Sequence, residues 1–299
     1  MRRPTSRWNS TITPGKSNRR APERRRPLGG TPRAALLLGL ILFFFGGREG
    51  GGEPIPRSQP IPPAKSAKPV VGERLTFHGR WMGIPVGYGW IEVKELVDLD
   101  GRAAYHIEAQ GHTNEVLSTF YPIHDVIHSY LDAETLIPLR FEKHQREGRY
   151  RADEVVTFDQ RSHRAQYRSL LNQSEKTIEL PPDFQDLISA LYWFRAQPLG
   201  ADHTVTLDIY TDEKIYRTDI EIQPPVQLEL LKRGTFPCLV VEPKASFKGL
   251  LVKRGRLWAY VTADEHRLPL LVKATTPWGA MSAVIDEESI RNVLGKTSF

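Results

Sequence analysis

The chain reads as an all-β domain, mainly antiparallel: about a dozen or more short strands in a curved sheet, half-barrel or barrel, with one amphipathic helix. Three observations lead there. From Gly72 onward apolar and polar residues alternate in short runs, the period of a half-buried strand. Turn signals, not helix-length segments, separate those runs, which implies antiparallel meanders. One stretch, PPDFQDLISALYWFR from Pro181 to Arg195, breaks the pattern with helical spacing.

Before the strands comes a leader of opposite character. Residues 1–70 hold 14 Lys and Arg against 3 Asp and Glu, which leaves 27 against 32 for the rest of the chain. The folded part is therefore mildly acidic although the whole chain carries +6. A nucleic-acid-binding domain would carry its own basic stripe, so no nucleic-acid partner is expected. RRAPERRR and Arg33 precede AALLLGLILFFF, Ala34 to Phe45, and then the small Gly46 and Gly47. A basic region, a short apolar run and small residues are the layout of an export signal, and the run is too short for a stable span of about 20 residues. Residues 1–47 are thus read as an export signal or short anchor, placing the domain in the periplasm or otherwise outside the cytoplasm, near a membrane. Residues 48–70, rich in Gly and Pro, read as a linker. Residues 71–290 read as a single β-rich domain and 291–299 as a tail. Cys238 is the lone cysteine, so no intramolecular disulfide holds the fold; in FPCLVVEP it reads as a buried strand thiol.

Taken in order, ERLTFHGRWM and VGYGWIEVKEL flank a turn at GIPVG, Gly83 to Gly87, and Asp100-Gly101 is a hairpin signal before RAAYHIEAQGH. YPIHDVIHSYL, LIPLRFEKHQ, YRADEVVTFD and RAQYRSL follow as strands. After the helix come HTVTLDIYT, KIYRTDIEI, VQLELLKR, CLVVEPKA, GRLWAYVTA, RLPLLVKAT and AMSAVIDEE. Tyr130 to Leu139 and Tyr260 to Leu270 echo one another, each a strand, a polar turn and a strand opened by proline, and either duplicated halves or chance explains that. In the helix, Phe184, Leu187, Ile188 and Leu191 form one stripe, Asp183 is the expected N-cap, Asp186 is expected to face solvent, and Trp193 points away from the stripe. A stripe of that kind needs an apolar surface, so the helix is expected to plug or lid the hollow of the sheet.

GERLTFHGRWMGIPVGYGWIEV, YLDAETLIPLRF, PPDFQDLISALYWFR and LWAYVTADEHRLPLLVKATTPWGAMSAVI resemble successive blocks of the bacterial envelope family known as domain of unknown function 3108. The resemblance runs from about Gly72 to Asp286 and implies a secreted or periplasmic β-rich domain. It carries no catalytic residues over. A looser similarity of plan to periplasmic lipid carriers is a fold-level analogy.

No motif points to a cofactor, and none is expected. HDVIH, His124 to His128, has metal-like spacing, but Pro122 with Ile123, Val126 and Ile127 indicates a strand, on which the two histidines stand about 13 Å apart. A metal there needs Asp125 or His112 as a third ligand; no metal site is assigned. Asp183 and Asp186, one turn apart, are explained by capping and exposure, so no catalytic residue is assigned; a non-enzyme is the leading reading and a hydrolase with a dispersed site the third. The aromatics of the first and last hairpins, Trp81, Tyr88 and Trp90, then Trp258, Tyr260 and Trp278, are core filling or the lining of an apolar cavity. Trp81, Tyr88, Trp90, Trp193 and Trp258 are the candidate ligand-binding residues. The reading is an exported envelope protein holding a hydrophobic or amphipathic, lipid-like ligand in the concavity of its sheet. The second reading is a structural or assembly factor that docks another envelope protein.

Overall fold

A computed structural model describes residues 68–295 except 199, 232, 246–255 and 277–278. The segment read as an export signal or anchor, nearly all of the segment read as a linker, the last four residues and Trp278 lie outside the described residues.

Fifteen strands form one sheet: β1 (Arg74–Trp81), β2 (Ile84–Leu99), β3 (Arg102–Thr113), β4 (His124–Asp132), β5 (Pro138–Glu147), β6 (Tyr150–Asp159), β7 (Arg164–Ser169), β8 (Glu175–Glu179), β9 (Gln185–Asp186), β10 (His203–Thr211), β11 (Lys214–Leu230), β12 (Gly234–Ala245), β13 (Arg256–Thr262), β14 (Pro269–Thr276) and β15 (Gly279–Ile285). Among the described residues three helices accompany them, α1 (Glu115–Ser118), α2 (Leu187–Ala196) and α3 (Glu287–Leu294). The strand order is β8-β7-β6-β5-β4-β3-β2-β1-β15-β14-β13-β12-β11-β10-β9, so the first and last strands pair at the centre. Every pairing is antiparallel except β9 with β10. No helix among the described residues is long and apolar enough to cross a membrane.

Strand boundaries follow local chemistry, with informative exceptions. Asp100 and Gly101 both take positive φ, 55° and 80°, and turn β2 into β3 as their sequence predicts. The first hairpin is tighter than GIPVG suggests: Met82 (φ 49°) and Gly83 (φ 84°) make the turn, and Pro85 lies inside β2. KIYRTDIEI and VQLELLKR are one strand, β11, because a bulge between Gln223 and Val226 absorbs Pro224 and Pro225, which donate no ladder hydrogen bond. The charged β8 and the two-residue β9 lack an alternating apolar pattern and escape sequence reading. The final strand ends at Ile285, where Asp286 caps α3 by accepting a hydrogen bond from Ser289 N at 2.7 Å.

The internal echo is a structural repeat. In both copies the strand bulges opposite its proline, Leu131 pairing with Pro138 and Val261 with Pro269. Asp132 N donates to Ile137 O as Thr262 N does to Leu268 O, and Ala133 N donates to Ala103 O as Ala263 N does to Pro237 O. Leu136 and Arg267 occupy the same left-handed position, φ 59° and 45°.

Helix α2 lies between two walls of the curled sheet. Ile188 and Tyr192, with Phe184 just before the helix, pack on Ile91, Ile107, Ile127, Phe141 and Val156 of β2 to β6. Phe194, with the half-buried Leu187 and Trp193, packs on Leu207, Ile209, Ile220, Leu239 and Val261 of β10 to β13. Both faces are covered, so the single-stripe expectation is too narrow. The cap also differs from expectation. Asp183 is exposed at φ 58°, a turn conformation that Asp tolerates. Asp186, after pairing beside β10, is fully buried and caps the helix, accepting from Ile188 N at 2.8 Å and Ser189 N at 2.7 Å, while Ser129 Oγ donates to it at 2.6 Å. The capping box closes through Asp186 N donating to Ser189 Oγ at 2.7 Å.

Candidate functional site

Between α2 and the β10 to β14 wall is a cavity of about 90 Å³, several times what one ordered water needs. All of its lining side chains are apolar. Leu187, Ala190, Leu191 and Phe194 of α2 form one side; Ile209, Ile220, Val241, Ala259 and Val272 form the other. Strand alternation explains why the sheet side is apolar: Leu257, Ala259 and Val261 of β13 share the concave face, and every second residue points outward. The lining extends from Val261 and Pro269 beside the β13 to β14 turn to Leu257 and Pro243 near the opposite ends of their strands. This lining offers burial to an apolar group and no side chain for covalent or acid-base chemistry.

None of the five aromatic candidates lines this cavity. Trp90 alternates with the buried Ile91 and Val93 and therefore stands on the outer face, with Arg74 over its ring at 4.4 Å. Tyr88 stacks with Trp90 on that face, ring centroids 6.3 Å apart. Trp258 alternates with the cavity-lining Leu257 and Ala259, and Arg256 covers its ring at 4.7 Å. Trp193 is half-buried against the second wall, and Trp81 is exposed at the first turn. Period two shows which rings share a face but not which face is hollow. The sheet residues that line the cavity were legible only as strand apolars, and Leu187 and Leu191 of α2 only as members of the helical stripe.

The outer face gathers histidines. His112 and His124, directly opposite on β3 and β4, stack at 4.7 Å, and His106 Nε2 lies 3.0 Å from His128 Nδ1. Burial first, and then the neighbouring imidazole, hold His112 and His128 below the ordinary histidine value. Asp125 points the other way, into the fold, and cannot join them; among the described residues no group of three or more His, Cys, Asp or Glu is arranged to hold a metal ion. The Cys238 thiol is buried, and burial pushes it up to about 12.

Inside, Asp125 meets Glu147 and Gln145, all three almost fully buried. Asp125 accepts from Arg146 N at 2.9 Å and from Gln145 Nε2 at 3.3 Å. Burial, reinforced by the adjacent Asp125 carboxylate, pushes Glu147 up to about 9, so it is protonated at neutral pH and donates to its neighbour. Its folded value lies above its ordinary 4.5, so its stabilising contribution is complete below that value and is lost as pH rises through about 9. Stability is expected to fall across that window, and Glu147→Gln, which cannot ionise, should flatten the fall. Urea midpoints of both proteins at mildly acidic, neutral and mildly alkaline pH check this, and parallel curves would refute it.

The two ends of the sheet also differ. Since neighbours alternate in direction, the β1–β2, β3–β4, β5–β6 and β7–β8 connections lie together at one end. That end carries exposed Trp81, Met82, Ile84, Val116, Phe120, Tyr121, Tyr150 and Leu171. Phe120 is 81% exposed.

Comparison with known proteins bears on this architecture. The family model described as Protein of unknown function (DUF3108) matches residues 76–286, more than two thirds of the chain. The chain belongs to that family. DUF3108 membership agrees with the resemblance of the hairpin, helix and final-strand blocks. A crystal structure of a beta-barrel-like protein of the domain of unknown function DUF1849 from Brucella abortus is similar at a TM-score of 0.50 and 10% identity, covering 74% of this chain and 98% of that one. It shares the DUF3108 chain's fold and establishes nothing further. A candidate lipoprotein from Parabacteroides distasonis matches with a TM-score of 0.31 and 11% identity over 76% of this chain and 99% of that one. The search of curated proteins finds no match.

Proposed function

We propose that this DUF3108 protein is exported to the cell envelope and binds a hydrophobic or amphipathic, lipid-like ligand between α2 and the concave face of its sheet. The observation that carries the reading is the cavity: a hollow lined wholly by apolar side chains between α2 and the sheet. The basic leader and its apolar run support the address. No step in this function needs a nucleophile or a metal.

Filling the hollow tests it. Ala259→Leu adds three carbons at a lining position and is expected to weaken binding of a fluorescent acyl probe to the full chain while leaving the melting temperature nearly unchanged. Undiminished binding would place the probe elsewhere and refute the cavity. Extraction and mass spectrometry of protein purified from its native envelope should recover stoichiometric lipid.

The exposed apolar end favours a second reading, a factor that docks another envelope protein. Trp81, Phe120 and Tyr121 stand on two separate connections at that end. Under that reading Phe120→Ser removes a co-purifying envelope protein and leaves probe binding intact.

A further inference from the structure

Arg267 is fully buried, and among the described residues none of its three guanidinium nitrogens has a hydrogen-bond partner. A guanidinium stays protonated inside a protein, so burial without partners is costly. Two nearby carboxylates have other partners. Glu73 binds Arg195 through both oxygens, at 2.6 and 2.8 Å. Asp264 accepts from Thr262 Oγ1 at 2.6 Å and His266 N at 3.0 Å, and attracts Arg267 only through space.

The turn that carries Arg267 stands at one end of the cavity. Val261 and Pro269, paired across β13 and β14, bracket the turn and both line the hollow. From the facing side, Phe194 lines the hollow too, and its neighbour Arg195 donates from Nε to His266 O at 3.2 Å. The repeat supplies an internal control. At the matching position of the β4 to β5 turn the residue is Leu136, and it packs in the apolar cluster that holds Ile188 and Tyr192. One copy thus has a buried apolar side chain at this position of the turn; the other has a buried permanent cation, on a turn whose flanking Val261 and Pro269 line the hollow.

We propose that Arg267 marks the headgroup end of the cavity and that the ligand is a single-chain amphiphile bearing an anionic headgroup, a carboxylate or a phosphate monoester. Guanidinium suits either oxyanion because its planar fork donates two parallel hydrogen bonds. This rests on the cavity reading and narrows it to a charge class.

Calorimetric titration of the full chain with octanoate, octyl phosphate and octanol tests it. The native protein is expected to bind at least one of the two anions about tenfold or more tightly than octanol, the range of a charge-assisted hydrogen bond. Arg267→Leu, which installs the residue of the matching turn, should abolish that preference while keeping octanol affinity, and that retained affinity shows the variant is folded. Arg267→Lys should keep part of the preference. The stronger of the two anions identifies the headgroup. Equal binding of anion and alcohol by the native protein, or a preference that survives in Arg267→Leu, overturns the headgroup assignment and leaves the cavity standing. Failure of all three ligands to bind overturns the cavity reading and this inference with it.

Discussion

Glu73→Ala is expected to destabilise the domain by about 3 to 5 kcal/mol, the cost of stranding one member of a buried ion pair. Glu73 and Arg195 leave only 8% and 7% of their side chains exposed, and they join through two short hydrogen bonds. Tyr192 Oη donates to the same carboxylate at 3.3 Å. Glu73 precedes β1, and Arg195 lies in the last turn of α2, so the pair staples the start of the domain to its central helix across 122 positions of sequence. The burial that makes the pair costly to break also makes it weak evidence of net stability. A Glu73→Leu, Arg195→Met double variant should therefore lose much less than the single one. Equilibrium urea unfolding of the three proteins checks both statements. A single-variant loss under about 1 kcal/mol would show that water reaches Arg195 freely.

Ile188→Ala is expected to cost about 2 to 5 kcal/mol, the range for removing a large buried aliphatic side chain. Ile188 has no exposed surface and lies in the cluster formed with β2 to β6. Leu187→Ala and Leu191→Ala should fall at or below the low end, because both side chains are half-buried and already border a hollow. The same two changes enlarge the hollow, so they should alter acyl-probe affinity more than Ile188→Ala does. Thermal unfolding with and without probe separates these effects. Equal losses at all three positions would mean that the helix rests on one uniform surface instead of between a filled wall and a hollow one.

Much of this architecture is legible without coordinates, and the residues that carry it say why. Asp100-Gly101 dictates its own turn because left-handed φ is tolerated there at little cost. The alternation in HDVIH puts His124 and Asp125 on opposite faces whatever surrounds them, which already separates the histidines from their supposed third ligand. Membership of DUF3108 is likewise carried by short blocks of turns and strand edges. By contrast, the cap of α2 is misplaced by three residues when read locally. Asp183 and Asp186 are equally good caps in sequence, and only the pairing of Gln185 and Asp186 with β10 selects the second.

The sequence by itself therefore determined the strand-rich class, the single long helix, the tight turns, and which side chains share a face of each strand. These depend on the conformational preferences of a few neighbouring residues and on a period of two. The tertiary structure decided which face is hollow, that α2 is covered on both sides, that Trp90 and Trp258 look outward, and that Arg267 is buried where its counterpart is a leucine. Each of those rests on contacts between residues far apart in the chain, such as Glu73 with Arg195 or Phe77 with Ile285. Local pattern carries no term for such contacts, because the free energy that selects a face comes from the area two distant segments bury against each other.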